Sequence, residues 1–485
     1  MTDGCHSTGV RRRGVVRGRR TNPRPIPPGT VLLVLAITLL AAPAAHPFIN
    51  PSALPQPAPA PSLETQVDAC LGPLVDEDLI SGTVLIARNG DVLLARGYGL
   101  ANREHGIPNG PRTKFRIGSI TKQFTAMAVL LLQRRGRLDL DDTVDRFVPD
   151  YPGGDRITIH QLLTHTSGIP SYNHLPDYGK KMMQPLTAQE VAAWFREKPL
   201  LFEPGSKQKY SNSGYVLLTV IIEKVSGMPY GDFLRQAIFE PLGMADTGVD
   251  SSLKILAHRA TGHVNTGGTV YQTFYRDMPL VSGDGALYST ALDLARWDRA
   301  LRNNELLPRR WMERMLEPQE GDYAYGWFVE QRFGRRLLSH RGTMSGFFTD
   351  IQRFVDDGVL VVALFNYESS LARDVFHDLG AIALGEPWEP LLAAGAPAAD
   401  STGLQAFAGT YQIEPGFELT FTVERNRLWM EGTNLDRVAA APLSAGRFLF
   451  RELNALATFS TSENGTVEEL TLVNGARRFT CPRKE

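Results

Sequence analysis

Three short stretches hold residue types that could do chemistry together. In Ser119-Ile-Thr-Lys122 a hydroxyl stands three residues ahead of an amine. At a helix start those positions share a side, so the two groups can meet. The amino end of a helix and partial burial both disfavour an ammonium, which leaves a lysine able to accept a proton. Backbone N–H groups at that end can face a developing oxyanion. Alone, the motif reads equally well as Ser119 capping a helix, because Phe124, Met127, Ala128, Leu131 and Leu132 follow at helical spacing. Ser251-Ser-Leu-Lys254 matches the same pattern, without the preceding glycine or the long apolar helix.

The second stretch is Lys209-Tyr210-Ser211-Asn212-Ser213-Gly214, a turn before the apolar run YVLLTVII. Its tyrosine can project a phenol into a cleft, where cationic neighbours would lower its pKa. Asn212 offers an amide to orient a substrate or the lysine. A packed tyrosine on a capping turn is the plainer alternative. The third is His340-Arg-Gly342-Thr343, closing the strand RRLLS. Glycine there lets the strand backbone approach a ligand closely, and the Thr343 N–H can complete an oxyanion site. A lone histidine at a strand end also serves structure alone.

Elements that would position these groups can be traced along the 485 residues. A helix is expected over 63–79, then the hairpin TVLIAR-Asn89-Gly90-DVLLARGYG. The serine helix follows, then helices near 188–196, 215–225, 230–238 and 291–302. Strands return in YGWFVE, RRLLSHRG, TDIQRFV and GVLVVALFN. Early and late strands with helices between predict an α+β fold, an antiparallel sheet closed by both chain ends and carrying a helical insert. The Pro/Ala-rich run at 389–403 reads as a linker. Beyond it, 404–485 alternates as short strands broken by Asn-Gly turns, which predicts a small all-β barrel or sandwich.

The first 44 residues read as an export signal: basic from Arg11 to Arg24, apolar from Val31 to Ala42, with a small-residue site at Ala42-Pro43-Ala44. Retained, the segment would anchor the chain in a membrane. Removed, it leaves a periplasmic or secreted protein preceded by a Pro/Ala tether at 45–62. The net charge of −1 hides an asymmetry. Seven arginines and one aspartate give the first 30 residues +6, so the remainder stands at −7. No basic footprint for nucleic acid is left. Cys5 would go with the signal; Cys70 and Cys481 could pair, or remain two thiols. No metal-ligand spacing or cofactor motif is present, so neither is expected. G-x-S-x-G and H-E-x-x-H are absent. His160 and His165, five apart, and the acidic run Asp139, Asp141, Asp142 are read as structural, and Trp297 and Trp311 as core.

Taken with LLTHTSGIP (162–170), FEPGSKQKYSNSGY (202–215) and GDGALYSTALDLARW (283–297), the Ser, Tyr, His order resembles the serine β-lactamase and penicillin-binding-protein family. Class C β-lactamases, D-alanyl-D-alanine carboxypeptidases and β-lactamase-like esterases are the nearest branches. The resemblance covers 63–388, and the tail is similar to the lipocalin-like β domains appended in that family. It implies Ser119 as acylated nucleophile, Lys122 and Tyr210 as the proton-handling pair, and Asn212 as a substrate-positioning group. His340 takes the place of the family's lysine beside Gly342 and Thr343 on the oxyanion strand. A neutral imidazole would hold a β-lactam carboxylate weakly. Esters or D-amino-acid peptides are therefore the expected substrates, with a β-lactamase, a D,D-carboxypeptidase or a penicillin-binding sensor as alternatives. Arg341 should face away from the cleft.

Overall fold

Gly82–Arg88 (β1) is apolar along nearly its whole length, as a strand covered on both faces must be. The computed structural model describes residues 61–392 and 401–484, apart from Glu320, Pro415, Asn434, Ala445, 463–465 and Ala476. The expected signal and most of the tether lie outside the described residues. No described helix is long and apolar enough to cross a membrane.

β1 turns through Asn89 and Gly90, both at positive φ (53° and 92°), into β2 (Asp91–Tyr98). Two consecutive positive φ values match the twist of a tight hairpin, which is why Asn-Gly stands there. On its other edge β1 pairs with a strand almost 280 residues later in the chain, Val359–Phe365. With β3 (Tyr323–Ala324), β4 (Trp327–Arg332), β5 (Arg335–Met344), β6 (Phe347–Phe354) and β7 (Val359–Phe365), the order is β3-β4-β5-β6-β7-β1-β2, antiparallel throughout. Both chain ends of the domain meet at β1 and β7, as the sequence predicted.

One face of the sheet, with Val84, Ile86, Val361, Ala363 and Phe365, packs against the helices Leu63–Asp76 and Ala372–Leu384. The other face, with Leu85, Ile351, Val362 and Leu364, meets the helical insert. The serine helix, Thr121–Arg134, lies at the centre of that insert, and every residue from Thr121 to Leu132 is buried. Its neighbour is Asn212–Ser226, which begins on the Tyr-Ser-Asn turn. The helix expected at 230–238 breaks into Tyr230–Leu234 and a wider π turn, Arg235–Phe239.

The C-terminal segment is all-β, but its strands do not close into the expected barrel. Gly409–Glu414 through Leu435–Ala439 form a four-stranded sheet, and Ala441–Ser444 through Arg477–Pro482 a five-stranded one. The chain passes between sheets across the single residue Ala440, and a strand cannot pair with its own continuation, so that seam stays open. An isolated bridge, Tyr411 with Arg483, joins the opposite edges. Edge-to-face rings of Tyr411, Phe421, Phe450 and Phe459 fill the space between. This unit leans on the sheet's outer helices: Leu449 and Leu456 share the core of Val67 and Val375, and Arg447 pairs with Asp374 at 2.7 Å. Cys70 and Cys481 are buried in separate clusters as two free thiols.

Candidate active site

Ser119 does not cap the helix. It sits in a single 3-10 turn, Gly118–Ile120, that runs straight into Thr121–Arg134, and no side chain caps either segment. The turn exists because Gly118 adopts φ +52°, which a glycine takes without strain. The hydroxyl is thereby turned sideways, towards Lys122.

Lys122 is fully buried, and its Nζ lies 3.2 Å from Ser119 Oγ, 2.8 Å from Asn212 Oδ1 and 2.8 Å from the Asp284 backbone oxygen. The rings of Tyr210 and Tyr215 flank it at 4.8 and 5.4 Å. Burial pulls its pKa down to about 7, against the opposing pull of Asp284. Two of the three contacts are to acceptors only, so a neutral amine would donate to both. Its lone pair would then be left for the Ser119 hydroxyl proton. That geometry explains a lysine inside an apolar helix.

The Tyr210 phenol is partly buried and lies close enough to Ser119 to interact with it. Its expected depressed pKa is not found. Desolvation pushes the phenol well above its ordinary value, and the Ser119 contact offsets this only in part. The residue is a neutral O–H, suited to relaying a proton and not to starting as a phenolate. His165, expected to be purely structural, holds this turn from two sides. Its carbonyl accepts from Lys209 N at 2.9 Å and its Nδ1 accepts from Ser211 N at 3.2 Å. Its ring packs against that of Tyr210, tilted by 39° with the centroids 4.2 Å apart. A positive φ of 61° at a non-glycine residue is the mark of that constraint, and it is not visible in sequence.

The strand β5 closes the other side. Thr349 Oγ1 donates to Ile117 O at 3.0 Å, and a Cβ added to Gly118 would lie 2.9 Å from Thr343 N. Gly342 faces the same backbone: a Cβ there would stand 2.0 Å from Ile117 O. Gly342→Ala should therefore cost roughly 1–3 kcal/mol, as overpacking does. Denaturant midpoints would show it, and an unchanged midpoint would mean that the strand and turn are not locked together.

His340 is buried and neutral, its pKa drawn down to about 3 by burial and by Lys122. Its Nδ1 lies 2.8 Å from Arg341 O and its Nε2 3.1 Å from Tyr323 Oη. With Nδ1–H donating to the carbonyl, Nε2 accepts from the tyrosine, so neither nitrogen is open to a substrate. The sequence placed His340 in contact with substrate; here it reaches the cleft only through Tyr323 and its ring packing near Tyr210. Arg341 points to the far face, where it acts on Asp350 and Arg373.

Asp284 was missed, although its stretch was singled out. Its carboxyl is buried behind Lys122, with Oδ2 accepting from Tyr172 Oη at 3.1 Å and Oδ1 without a partner. Burial raises its pKa to about 7, so it and Lys122 titrate as a pair. Only its backbone carbonyl touches the amine, and a carboxyl that acts at a distance leaves no spacing rule in sequence. Asp284→Asn removes the charge that supports a protonated Lys122. The acid limb of the pH–kcat/KM profile should move to lower pH. A limb that stays put or rises would remove Asp284 from the titration.

A family model described as Beta-lactamase matches residues 67–384, and one described as a domain of unknown function (DUF3471) matches 393–480. The chain is 30% identical to a penicillin-binding protein of Bacillus subtilis (strain 168), over 81% of this chain and 92% of that one. Among solved structures, the octameric penicillin-binding protein homologue from Pyrococcus abyssi superposes with a TM-score of 0.63 at 25% identity, covering 87% of this chain and 100% of its own. A D-stereospecific amidohydrolase from Streptomyces sp. superposes at 0.56 with 26% identity, over 63% and 94%. With the family model spanning about two-thirds of its length, this chain belongs to the β-lactamase family of serine hydrolases.

Proposed function

We propose that this protein is an exported hydrolase of esters or D-amino-acid-containing peptides, acting through an acyl-enzyme on Ser119. The observation that carries the reading is the position of Lys122 Nζ, in reach of Ser119 Oγ and held by two further acceptors. The neutral amine takes the Ser119 proton as Oγ bonds to the substrate carbonyl carbon. The carbonyl oxygen gains the electron pair beside the backbone N–H groups of Ser119 and Thr343. Collapse expels the leaving group, which receives its proton from Tyr210, and Lys122 returns one to the phenol. Water then attacks the acyl-enzyme by the reverse relay, freeing Ser119. Asn212 positions the lysine and one side of the substrate; His340 sets Tyr323 and, through it, the wall of the cleft.

At the family's lysine position stands His340, neutral and with both ring nitrogens engaged, which favours esters and peptides over penicillins. The amidohydrolase likeness points to D-configured substrates. Incubation with p-nitrophenyl butyrate and with nitrocefin, each followed by intact mass, tests the reading. Rapid p-nitrophenol release with little nitrocefin turnover is expected. A stable adduct without turnover would make the protein a penicillin sensor, and fast nitrocefin hydrolysis a β-lactamase. Expressed with its leader, the mature protein should lack residues 1–44, and a full-length mass would make the segment an anchor.

A further inference from the structure

Beside the cleft, a cavity of about 260 Å³ is lined by Arg116, Arg259 and Arg276, with Thr273, Phe274 and Phe347. Three guanidiniums at one cavity need an account, and two of them have one. Arg116 Nε and Arg259 Nη1 share the buried carboxylate of Asp250, at 2.7 and 3.0 Å. That leaves one excess positive charge before Arg276 is counted. Arg276 is different: among the described residues no carboxylate lies within ion-pairing distance of it. Its Nε donates to Ser345 Oγ at 3.1 Å, its Nη1 to Tyr178 Oη, and its Cζ stands 5.6 Å from the Tyr178 ring centroid. The guanidinium is therefore held by neutral hydrogen-bond partners, with only the more distant, buried Asp284 acting on its charge.

Its place in the fold ties the cavity to the reaction. Ser345 comes two residues after Thr343, at the end of the strand that borders the Ser119 turn. Arg116 precedes Ser119 by three residues. Tyr178 packs on Tyr172, which holds Asp284 behind Lys122. Thr273 Oγ1 donates to Ser345 O at 3.2 Å, which joins the cavity wall to the strand end. Phe274 and Tyr275, 61% and 50% exposed, rim the opening and offer apolar surface next to the charge. A guanidinium held in place without an ion-pair partner is suited to a planar carboxylate.

We propose that this cavity is an anion subsite of the cleft, in which Arg276 binds a carboxylate carried by the substrate. The proposal rests on the serine-hydrolase reading and narrows its substrates to carboxylate-bearing esters or peptides. Three chromogenic esters test it in the wild type, Arg276→Met and Arg276→Lys: neutral p-nitrophenyl butyrate, mono-p-nitrophenyl glutarate with the carboxylate on the acyl side, and 3-carboxy-4-nitrophenyl butyrate with it on the leaving group. In Arg276→Met, kcat/KM for at least one carboxylate ester should fall about 10–100-fold relative to the butyrate, the weight of a charge-assisted hydrogen bond. Arg276→Lys should recover part of it, and the ester affected reports which side of the scissile bond the cavity serves. Ratios unchanged in both variants would overturn the subsite and leave the hydrolase reading intact. If the wild type hydrolyses none of the three, that reading fails instead. Calorimetric titration with glutarate then decides the subsite: binding lost in Arg276→Met upholds it, and no binding to the wild type overturns it.

Discussion

Ser119→Ala should lose hydrolysis of p-nitrophenyl butyrate by a factor on the order of 10⁶ in kcat, the scale seen when the nucleophile of an acyl-transfer site is removed. The folded state should barely register the change. Ser119 is half-buried, and its side-chain contact with Lys122 is a single hydrogen bond worth about 1 kcal/mol. The turn that carries it is set by Gly118 and by Thr349 on Ile117, neither of which the substitution touches. A thermal midpoint close to wild type, with no acyl adduct by mass, is the expected pair of results. A variant keeping most of its rate would mean that another group attacks the substrate.

Lys122→Met should lower kcat by about 10²–10⁴-fold, the usual contribution of a positioned base, and should also change how stability depends on pH. In the folded protein the amine's pKa is about 7, below the 10.5 of an unfolded chain. Between those values the unfolded state binds more protons, so wild-type stability rises with pH across that window. The methionine variant lacks this rise. Asp284 works in the opposite sense: its carboxyl, raised from 3.8 to about 7, makes stability fall as pH climbs between those values. Denaturant unfolding at several pH values separates the two. Equal slopes above neutrality in wild type and Lys122→Met would show that the lysine is not the buried base.

Much of this arrangement could be read from sequence, for identifiable reasons. The hairpin was legible because Asn89 and Gly90 must both take positive φ. Ser119, Lys122, Tyr210 and Asn212 were legible as a set because each lies in a short local pattern. The C-terminal segment was legible as all-β, but alternation reports only which residues face inward and could not decide between a closed barrel and two open sheets. His340 was assigned a substrate contact because sequence cannot show that Tyr323, seventeen residues earlier, occupies its ring nitrogen. Arg276 was not singled out at all. Its significance is the lack of an ion-pair partner among the described residues, and that emerges only when Asp250 is seen to be shared by two other arginines.

The pairing of β1 with β7, Gly82 beside Phe365, has a consequence for biogenesis. The sheet that backs the catalytic cleft cannot be completed until nearly the whole hydrolase domain has left the ribosome, because its central strand waits for a mate from the far end. Contacts this distant in sequence form slowly. Until that mate arrives, β1 has only the hairpin partner β2, and the cleft in front of the sheet has no finished floor.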